Sequence, residues 1–323
     1  MSRHILPVAL GAVFIAGVAC LPLAGDNYLL RLGTMGAMYA VLALSWNVIG
    51  GFAGYPSFAT AAFFGLGAYT GAVLQASGVP MVLAWAAASL MAAVFAAALG
   101  AAILHLKGHY FAIASLVVAE VLLEITTSWT SLTGGGMGLN LPILRGWSPT
   151  EQARLFFWGM LAFAALALLM NYVVKNHRLG FGLECIRQNE DASRMVGIDT
   201  TTYKVIAFTL SAVLVGGVGA LYASWVFYIE PPDVFDVLTS VKPVVMALLG
   251  GAGTVLGPVI GAVLFLAMEE FVWRNLLDVH RAALGILIVG LIFFLPHGIL
   301  GLLRGRGPRA VKAPSFSLKR KTS

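Results

Sequence analysis

Long apolar stretches separated by short polar segments dominate this chain. A helix that crosses the hydrocarbon core of a bilayer needs about 20 mostly apolar residues. The pattern predicts full-length transmembrane helices at residues 5–23, 28–49, 58–76, 81–104, 110–127, 154–174, 203–228 and 282–303. The predicted fold class is therefore an all-α polytopic membrane protein with about eight full transmembrane helices.

Residues 241–273 are apolar but do not fit two full-length spans. The sequence GGAGT at residues 250–254 interrupts them, so that the apolar run on each side is shorter than the roughly 20 residues of a full crossing. Irregular backbone at membrane depth is tolerated only where protein or a water-filled cavity surrounds it. We therefore predict a broken or re-entrant hairpin inside the bundle, which brings the total to about ten membrane elements.

The glycine-rich residues 50–57 form a similar interruption before the predicted third span. Two interruptions in corresponding halves of a chain suggest an internal repeat and a transport pathway, whereas tight helix packing is the alternative interpretation. The candidate pathway or packing residues are Gly54, Ser57, Gly65, Gly67, Gly250, Gly251, Gly253, Gly257 and Pro258.

Glu120 and Glu124 lie one turn apart in the predicted fifth span. Ionisable side chains inside a membrane are costly and usually face a bundle interior or water. We expect Glu124 to reach the outer interface, and we add Glu120 to the pathway candidates. A proton-coupled transporter could also use such carboxylates.

Residues 175–199 form a long polar segment in the middle of the apolar chain. Residues 183–196 could form one amphipathic helix, bracketed by Gly180, Gly182 and Gly197. We interpret this segment as a helix outside the membrane that is offered to a partner protein, and a solvated connecting loop is the alternative. The candidate contact residues are Arg187, Glu190, Asp191, Ala192, Arg194 and Gly197.

Composition narrows the function classes. The chain is 59% hydrophobic and only 11% charged, whereas soluble domains carry about 25% charged residues. It has no GxxxxGK[ST] phosphate loop, no catalytic motif, no metal-ligand spacing among its histidines and two cysteines, and no cofactor motif. We expect a protein that is not an enzyme and holds no metal or cofactor of its own.

Charge distribution predicts the orientation. If residues 175–199 and the basic tail at 304–323 face the cytoplasm, most of the 20 lysines and arginines lie inside, as the positive-inside rule requires. Both termini are then cytoplasmic. The net charge of +6 follows from this topology and calls for no nucleic acid. We divide the chain into a transmembrane domain at 1–303 and a disordered tail.

Six stretches together resemble the membrane permeases of branched-chain amino-acid ABC importers, particularly the LivM-like subunit. They are GGFAGYPSFATAAFFGLGAYT (50–70), YFAIASLVVAEVL (110–122), SLTGGGMGL (131–139), IRQNEDASRMVGID (186–199), LLGGAGTVLGPVIGA (248–262) and LPHGILGL (295–302). The resemblance covers nearly the whole chain.

The resemblance implies a set of partners. They are two ATPase subunits that bind the ATP, a second homologous permease subunit, a periplasmic substrate-binding protein and the bacterial inner membrane. The polar segment would be the coupling helix that docks on an ATPase. Branched-chain amino acids, other amino acids, urea or short amides would be the substrates. The rival hypotheses are an ion-coupled secondary transporter or channel that needs no ATPases, and a membrane-embedded scaffold or enzyme.

Overall fold

Helices make up most of the part of the chain that the computed structural model describes, residues 27–142, 146–275 and 285. In chain order these are α1 (Asn27–Trp46), α2 (Thr60–Ala76), α3 (Met81–Ile103), α4 (His109–Ser128), α5 (Thr130–Thr133), α6 (Pro149–Asn176), α7 (Arg178–Gln188), α8 (Glu190–Met195), α9 (Thr200–Val226), α10 (Pro231–Val234), α11 (Val237–Gly250) and α12 (Gly257–Asn275). A π-helix, Asn47–Phe52, continues α1, and a 3-10 turn spans Gly135–Met137.

Five helices in the described ranges are long and apolar enough to cross a membrane: Asn27–Phe52, Met81–Ile103, His109–Ser128, Pro149–Asn176 and Thr200–Val226. Each coincides with a predicted span, although α6 begins five residues earlier than predicted because Ser148 caps it through a capping box with Glu151. The predicted third span forms the 17-residue α2. The predicted spans at 5–23 and 282–303, and the tail, lie outside the described residues apart from Gly285.

Small residues bring α9 into close contact with α2 and α3. A Cβ atom on Gly71 would come within 3.0 Å of the Ala220 Cα atom, and one on Gly216 would come within 3.0 Å of the Ala88 carbonyl oxygen. Lipid supplies no hydrophobic force between helices, so membrane bundles depend on such close packing. The fully buried Ala207, Phe208 and Ala220 place α9 at the centre of the bundle.

The hairpin predicted at 241–273 is present as two antiparallel neighbours, α11 with 14 residues and α12 with 19. Gly251 (φ 117°) and Gly253 (φ 77°) turn the chain between them in backbone conformations that favour glycine. Pro258 is the second residue of α12, where a missing N–H leaves no hydrogen bond broken.

The two ends of the bundle differ in structure. At one end, here called the loop end, α6 leads into α7 and α8, and α9 begins. At the other end, here called the ribbon end, β1 (Leu139–Asn140) and β2 (Tyr228–Ile229) form a two-residue antiparallel ribbon. α9 runs from the loop end to the ribbon end, and the tip of the α11–α12 hairpin lies at the loop end beside α7.

Candidate functional site at the loop end

The polar segment folds as two short helices, so the prediction of one helix over residues 183–196 is wrong. Asn189 has an extended backbone (φ −161°, ψ 109°), and its Oδ1 atom accepts a hydrogen bond of 3.0 Å from the Ala192 N–H. An asparagine at an N-cap stabilises a helix start in this way. α7 therefore ends at Gln188, and α8 begins at Glu190.

The predicted bracketing glycines also take different positions. Gly180 and Gly182 lie within α7 rather than at its boundary, and Gly182 packs against the ring of Tyr203. Gly197 follows α8 with φ 88° and open space around its Cα atom. Only Gly197 therefore has the backbone of a helix-ending residue.

α7 buries one face on the bundle and leaves another exposed. Leu183 and Ile186 are buried, whereas Phe181 is exposed. Met195, the last residue of α8, is 88% exposed, and Val196, which follows it, is 77% exposed. Apolar side chains this exposed outside the spanning helices are candidates for binding another protein.

Arg187 of α7 contacts both glycine-rich interruptions. Its Nη1 atom donates a 2.7 Å hydrogen bond to the Gly51 carbonyl oxygen. A Cβ atom on Gly54 would lie 2.8 Å from the Arg187 Cγ atom, and one on Gly253 would lie 2.7 Å from Nη1. The interruptions at 50–57 and 250–254 therefore meet at one side chain of the polar segment.

Two buried asparagines hold the interruptions together. The Asn47 side chain accepts a 2.8 Å hydrogen bond from the Gly253 N–H and donates to the Thr254 carbonyl oxygen at 3.0 Å. It also donates to the Asn171 Oδ1 atom at 2.9 Å, and Asn171 donates to the Leu44 carbonyl oxygen at 2.9 Å. These bonds satisfy backbone groups that the π-helix and the hairpin turn leave free.

A buried cluster of Glu190, Lys204 and Tyr55 attaches α8 to the bundle. The Lys204 Nζ atom donates to the Glu190 carboxylate at 2.9 Å, to the Tyr55 hydroxyl at 3.0 Å and to the Leu104 carbonyl oxygen at 2.7 Å. The Tyr55 hydroxyl donates to the Glu190 carboxylate. The Lys204 side chain is 1% exposed and that of Glu190 is 9% exposed, so neither charge is available to a partner protein.

The surroundings of Glu190 keep it ionised. Burial alone would raise the pKa of its carboxyl group, but hydrogen bonds from Tyr55 and Lys204 and the charge of Lys204 outweigh burial and lower that pKa to about 2. The Glu190 carboxylate is therefore charged at neutral pH, 2.9 Å from the Lys204 Nζ atom.

The other residues predicted in the polar segment are more exposed. The Arg194 Nη2 atom lies 2.9 Å from the Glu190 carboxylate, with half of its side chain exposed. Asp191 forms a 2.8 Å ion pair with Lys107, in which both side chains are mostly exposed. Ala192 and Gly197 are exposed.

Most of the remaining pathway candidates make close helix contacts. The Ser57 carbonyl oxygen accepts a 2.8 Å hydrogen bond from the Trp46 indole. Gly65 packs against the ring of Phe235, and Gly67 packs against the backbone of Gly216. Within the hairpin, Gly250 and Gly257 touch through their backbones, and Gly251 and the buried Pro258 lie beside them. None of these contacts places another pathway candidate beside Arg187.

Glu120 lies apart from all of these residues. It is exposed on α4, as is Glu124, on a face that also carries the exposed Val117 and Val121. Within the described residues, Glu120 therefore lies on the surface of the bundle and not in its interior.

The structure also contains a second charged cluster, none of whose residues was among the predicted site residues. The Lys242 Nζ atom of α11 donates to the Glu269 carboxylate of α12 at 2.8 Å and to the Tyr39 hydroxyl of α1 at 3.0 Å. The Tyr39 hydroxyl donates to Glu269 at 2.8 Å. An ionisable residue within an apolar run was the sequence signal for this cluster and for Lys204.

A helical membrane bundle that holds an extramembrane helix pair against two broken helices has the architecture of a transport subunit. Residues 28–296 match the family described as branched-chain amino acid transport system / permease component. The chain belongs to this family, whose members are transport proteins and not enzymes.

Individual relatives cover most of the chain. It is 27% identical over 299 residues to the high-affinity branched-chain amino acid transport system permease protein LivM of Salmonella typhimurium, covering 84% of this chain and 70% of LivM. Identity to the probable LivM permease of Methanocaldococcus jannaschii is 23% over 316 residues, covering 81% and 90%. The Salmonella LivH permease is 25% identical over 297 residues, covering 83% and 92%. No solved structure matches the chain.

Proposed function

We propose that this chain is a permease subunit of an ATP-driven ABC importer for branched-chain amino acids or related small amino acids and amides. The observation that carries the proposal is the contact of Arg187, from the polar segment, with both glycine-rich interruptions. Family membership supports the transport function. The names of the relatives support the substrate class.

The proposed assembly follows the family. Two ATPase subunits bind ATP, a second homologous permease completes the membrane part, and an extracytoplasmic binding protein delivers the substrate. The permease domain, residues 1–303, contains about eight full spans and the hairpin. A cytoplasmic tail follows at residues 304–323. The chain resides in a bacterial inner membrane with both termini in the cytoplasm. Salmonella LivM and LivH, both related to this chain, support the pairing of two permeases.

The polar segment would dock on an ATPase through its exposed apolar residues. Phe181, Met195 and Val196 are more than two-thirds exposed, and apolar anchors of this kind dominate protein interfaces. Arg187 and the Glu190–Lys204 pair would hold the docking helices to the bundle. A movement imposed by the ATPase would then reach the hairpin through the Gly253 contact.

The exposed face of α4 would contact the second permease. A carboxyl group such as that of Glu120 would be costly if it faced lipid, so a partner or an aqueous pathway must cover it. Its neighbours Val117 and Val121 are exposed as well. This arrangement would place Glu120 beside the pathway between the two permeases.

Co-purification tests the docking surface. Substitution Met195→Asp should abolish recovery of ATPase subunits with the chain, because it places a charge in an apolar interface. Met137→Asp is the control: Met137 is 85% exposed but lies beside the ribbon, so ATPase recovery should persist. Glu190 is unsuitable for this test because its charge is buried.

The rival ion-coupled transporter gives a different outcome. It would purify without ATPases, transport in liposomes without ATP, and tolerate Met195→Asp. That result would overturn the importer proposal.

A further inference from the structure

A cavity of about 500 Å³ lies between α1 and the α11–α12 hairpin, and we call it the α1–hairpin cavity. On α1 its lining runs from Tyr28, near the start of the helix, to Tyr39, eleven residues and therefore roughly 16 Å further along. The first residue of α1, Asn27, lines a neighbouring cavity together with Val226, the last residue of α9, which ends at the ribbon end. The α1–hairpin cavity therefore reaches from the ribbon end to about the middle of the Asn27–Phe52 span.

Three side chains that already pair with one another form the inner end of this cavity. Lys242 donates to Glu269 and to Tyr39, and Tyr39 donates to Glu269. Nearer the ribbon end, the Tyr28 hydroxyl donates to the Glu270 carboxylate. Both carboxylates belong to α12 and line the cavity. A carboxylate accepts up to about four hydrogen bonds, so the two bonds to Glu269 leave lone pairs for an N–H group of a ligand.

Arg31 is the cationic group of the cavity that has no partner among the described residues. Its guanidinium group makes no hydrogen bond or ion pair in residues 27–142, 146–275 and 285. An arginine within a spanning helix is costly unless it faces water or pairs with an anion. Its planar fork of N–H donors fits a carboxylate in a bidentate geometry. The cavity therefore presents an unpaired cation to an anionic group that enters it.

The charges around Arg31 distinguish the α1–hairpin cavity from its neighbour. Arg31 also lines the cavity between α1, α6 and α9, where it is the only charged side chain among the described lining residues. The α1–hairpin cavity instead combines Arg31 on α1 with Glu269 and Glu270 on α12, and Arg31 forms no ion pair with either carboxylate. Apolar side chains of both walls complete the lining: Leu32, Met35 and Leu266. Such a lining is complementary to a molecule that carries a carboxylate, an ammonium group and an apolar side chain.

We propose that Arg31 is a specificity-determining residue that pairs with the carboxylate of a small zwitterion bound in the α1–hairpin cavity. The ammonium group of the ligand faces Glu269 and Glu270, and its aliphatic side chain lies against the apolar residues of the two walls. This inference rests on the proposed function and narrows its substrate class. Amides and urea lack a carboxylate for Arg31, so the site selects amino acids against them.

Cysteine protection tests the site in the reconstituted importer. With Cys20 and Cys185 replaced by serine, Leu266→Cys puts a thiol on the cavity lining. Leucine should slow the alkylation of this thiol by a maleimide. A Met137→Cys thiol, at an exposed position outside the lining, should react at the same rate with or without leucine.

Leucine analogues that lack one charge test both halves of the zwitterion. Leucinamide has no carboxylate and isovalerate has no ammonium group, so each should need at least about tenfold more ligand than leucine for half-protection. Equal protection by leucine and leucinamide would show that Arg31 recognises no carboxylate and would overturn the proposal. Equal protection by leucine and isovalerate would overturn the role of the α12 carboxylates and with it the zwitterion site.

Arg31→Met separates ligand binding from a structural role. Half-protection should need at least about tenfold more leucine, because a charge-assisted pair is lost. Protection by leucinamide, which has no carboxylate to lose, should stay unchanged or improve. The thermal unfolding midpoint should stay unchanged, because Arg31 makes no hydrogen bond within the described ranges. A lower midpoint with unchanged leucine protection would overturn the proposal.

A lipid phosphate is the alternative anion for Arg31, since a guanidinium group also matches phosphate. The protection experiment is therefore run in phosphatidylcholine vesicles with and without phosphatidylglycerol. Leucine protection in both compositions supports the proposal. Protection that depends on phosphatidylglycerol and not on leucine would assign Arg31 to a lipid headgroup and overturn it.

Binding-protein-dependent leucine uptake, measured in the same vesicles, tests the proposed function separately. Uptake without any leucine protection would overturn the site and leave the function standing. Protection without uptake would support the site and contradict the function.

Discussion

Two clusters of the same composition, a lysine, a glutamate and a tyrosine, hold different parts of this molecule together. In the loop-end cluster, Lys204 pairs with Glu190 at 2.9 Å and lies 4.5 Å from the centre of the Tyr55 ring. In the hairpin cluster, Lys242 pairs with Glu269 at 2.8 Å and lies 5.3 Å from the centre of the Tyr39 ring.

The clusters differ in what they join and in their exposure. The loop-end cluster joins α8, outside the spanning helices, to α9 and to the interruption after α1, and its lysine is 1% exposed. The hairpin cluster joins α11, α12 and α1, and its lysine side chain is 21% exposed. Two hydrogen bonds lie between these clusters: Arg187 of the polar segment donates to Gly51, and Asn47 accepts from Gly253 of the hairpin. The comparison indicates that the polar segment and the hairpin are separately anchored and meet at Gly253.

Breaking the loop-end cluster should have the largest effect. Lys204→Met removes the buried lysine partner of Glu190 and leaves only the half-exposed Arg194 to pair with this carboxylate. The loss should cost up to about 3–5 kcal/mol of unfolding free energy. Thermal unfolding of the purified protein measures the loss. In the control, Lys107→Met removes the exposed pair with Asp191 and should cost at most about 1 kcal/mol. Equal losses in the two variants would show that burial does not distinguish these pairs.

Breaking the hairpin cluster should have a smaller effect, because Lys242 is partly exposed. We expect Lys242→Met to cost about 2–3 kcal/mol and to increase hydrogen exchange in α11 and α12 while leaving α8 protected. Arg31→Met, on the same helix α1 as Tyr39, is the control, with an expected change within about 0.5 kcal/mol. Increased exchange in α8 would contradict the separate anchoring of the two parts.

The contact between hairpin and polar segment is tested by two alanine substitutions at glycines with similar backbones. Gly253 has φ 77° and Gly197 has φ 88°, so alanine should cost about 1–2 kcal/mol at either position. Only at Gly253 would the new Cβ atom also meet Arg187. We expect Gly253→Ala to lower leucine uptake per ATP hydrolysed more than Gly197→Ala does. Equal leucine uptake per ATP hydrolysed in the two variants would show that the Gly253 contact does not couple the polar segment to the hairpin.

Between pH 8 and pH 5, the smallest expected effect is that of pH. The pKa of Glu190 is lowered from 4.5 to about 2 in the folded protein, so its stabilising effect is complete above about pH 4.5 and is lost as pH falls toward 2. Proteolysis of α8 should therefore be constant between pH 8 and 5 and should rise below pH 4.5. A rise already between pH 7 and 6 would show that another group controls the attachment of α8.

The sequence predicted the five long apolar helices of the described residues and the hairpin because both depend on local apolar patterns. Residues 28–49 and 241–273 could be interpreted from run length, glycine and proline alone. The break at Asn189 was missed because the apolar periodicity continues across it, whereas its capping bond to Ala192 decides the structure.

The site contacts could be predicted only in part. Arg187 and Glu190 were candidates because they lie in an unusual polar segment. The partner of Arg187, Gly51, lies far away in sequence, and the partner of Glu190, Lys204, lies in the next helix. Such pairs depend on the helix arrangement, which periodicity does not specify.

Glu120 was a pathway candidate because it is a carboxylate within a predicted span, yet the structure leaves it exposed.

The central claim is that Arg187 transmits movement of the docked helices to the two glycine-rich interruptions. The most direct test is the number of leucine molecules imported per ATP hydrolysed by the Arg187→Ala assembly in proteoliposomes, with ATPase co-purification as the control for docking. We predict that ATP hydrolysis and docking persist while the ratio falls at least about tenfold, since a charge-assisted hydrogen bond of about 1.5–3 kcal/mol is lost. An unchanged ratio would contradict the claim.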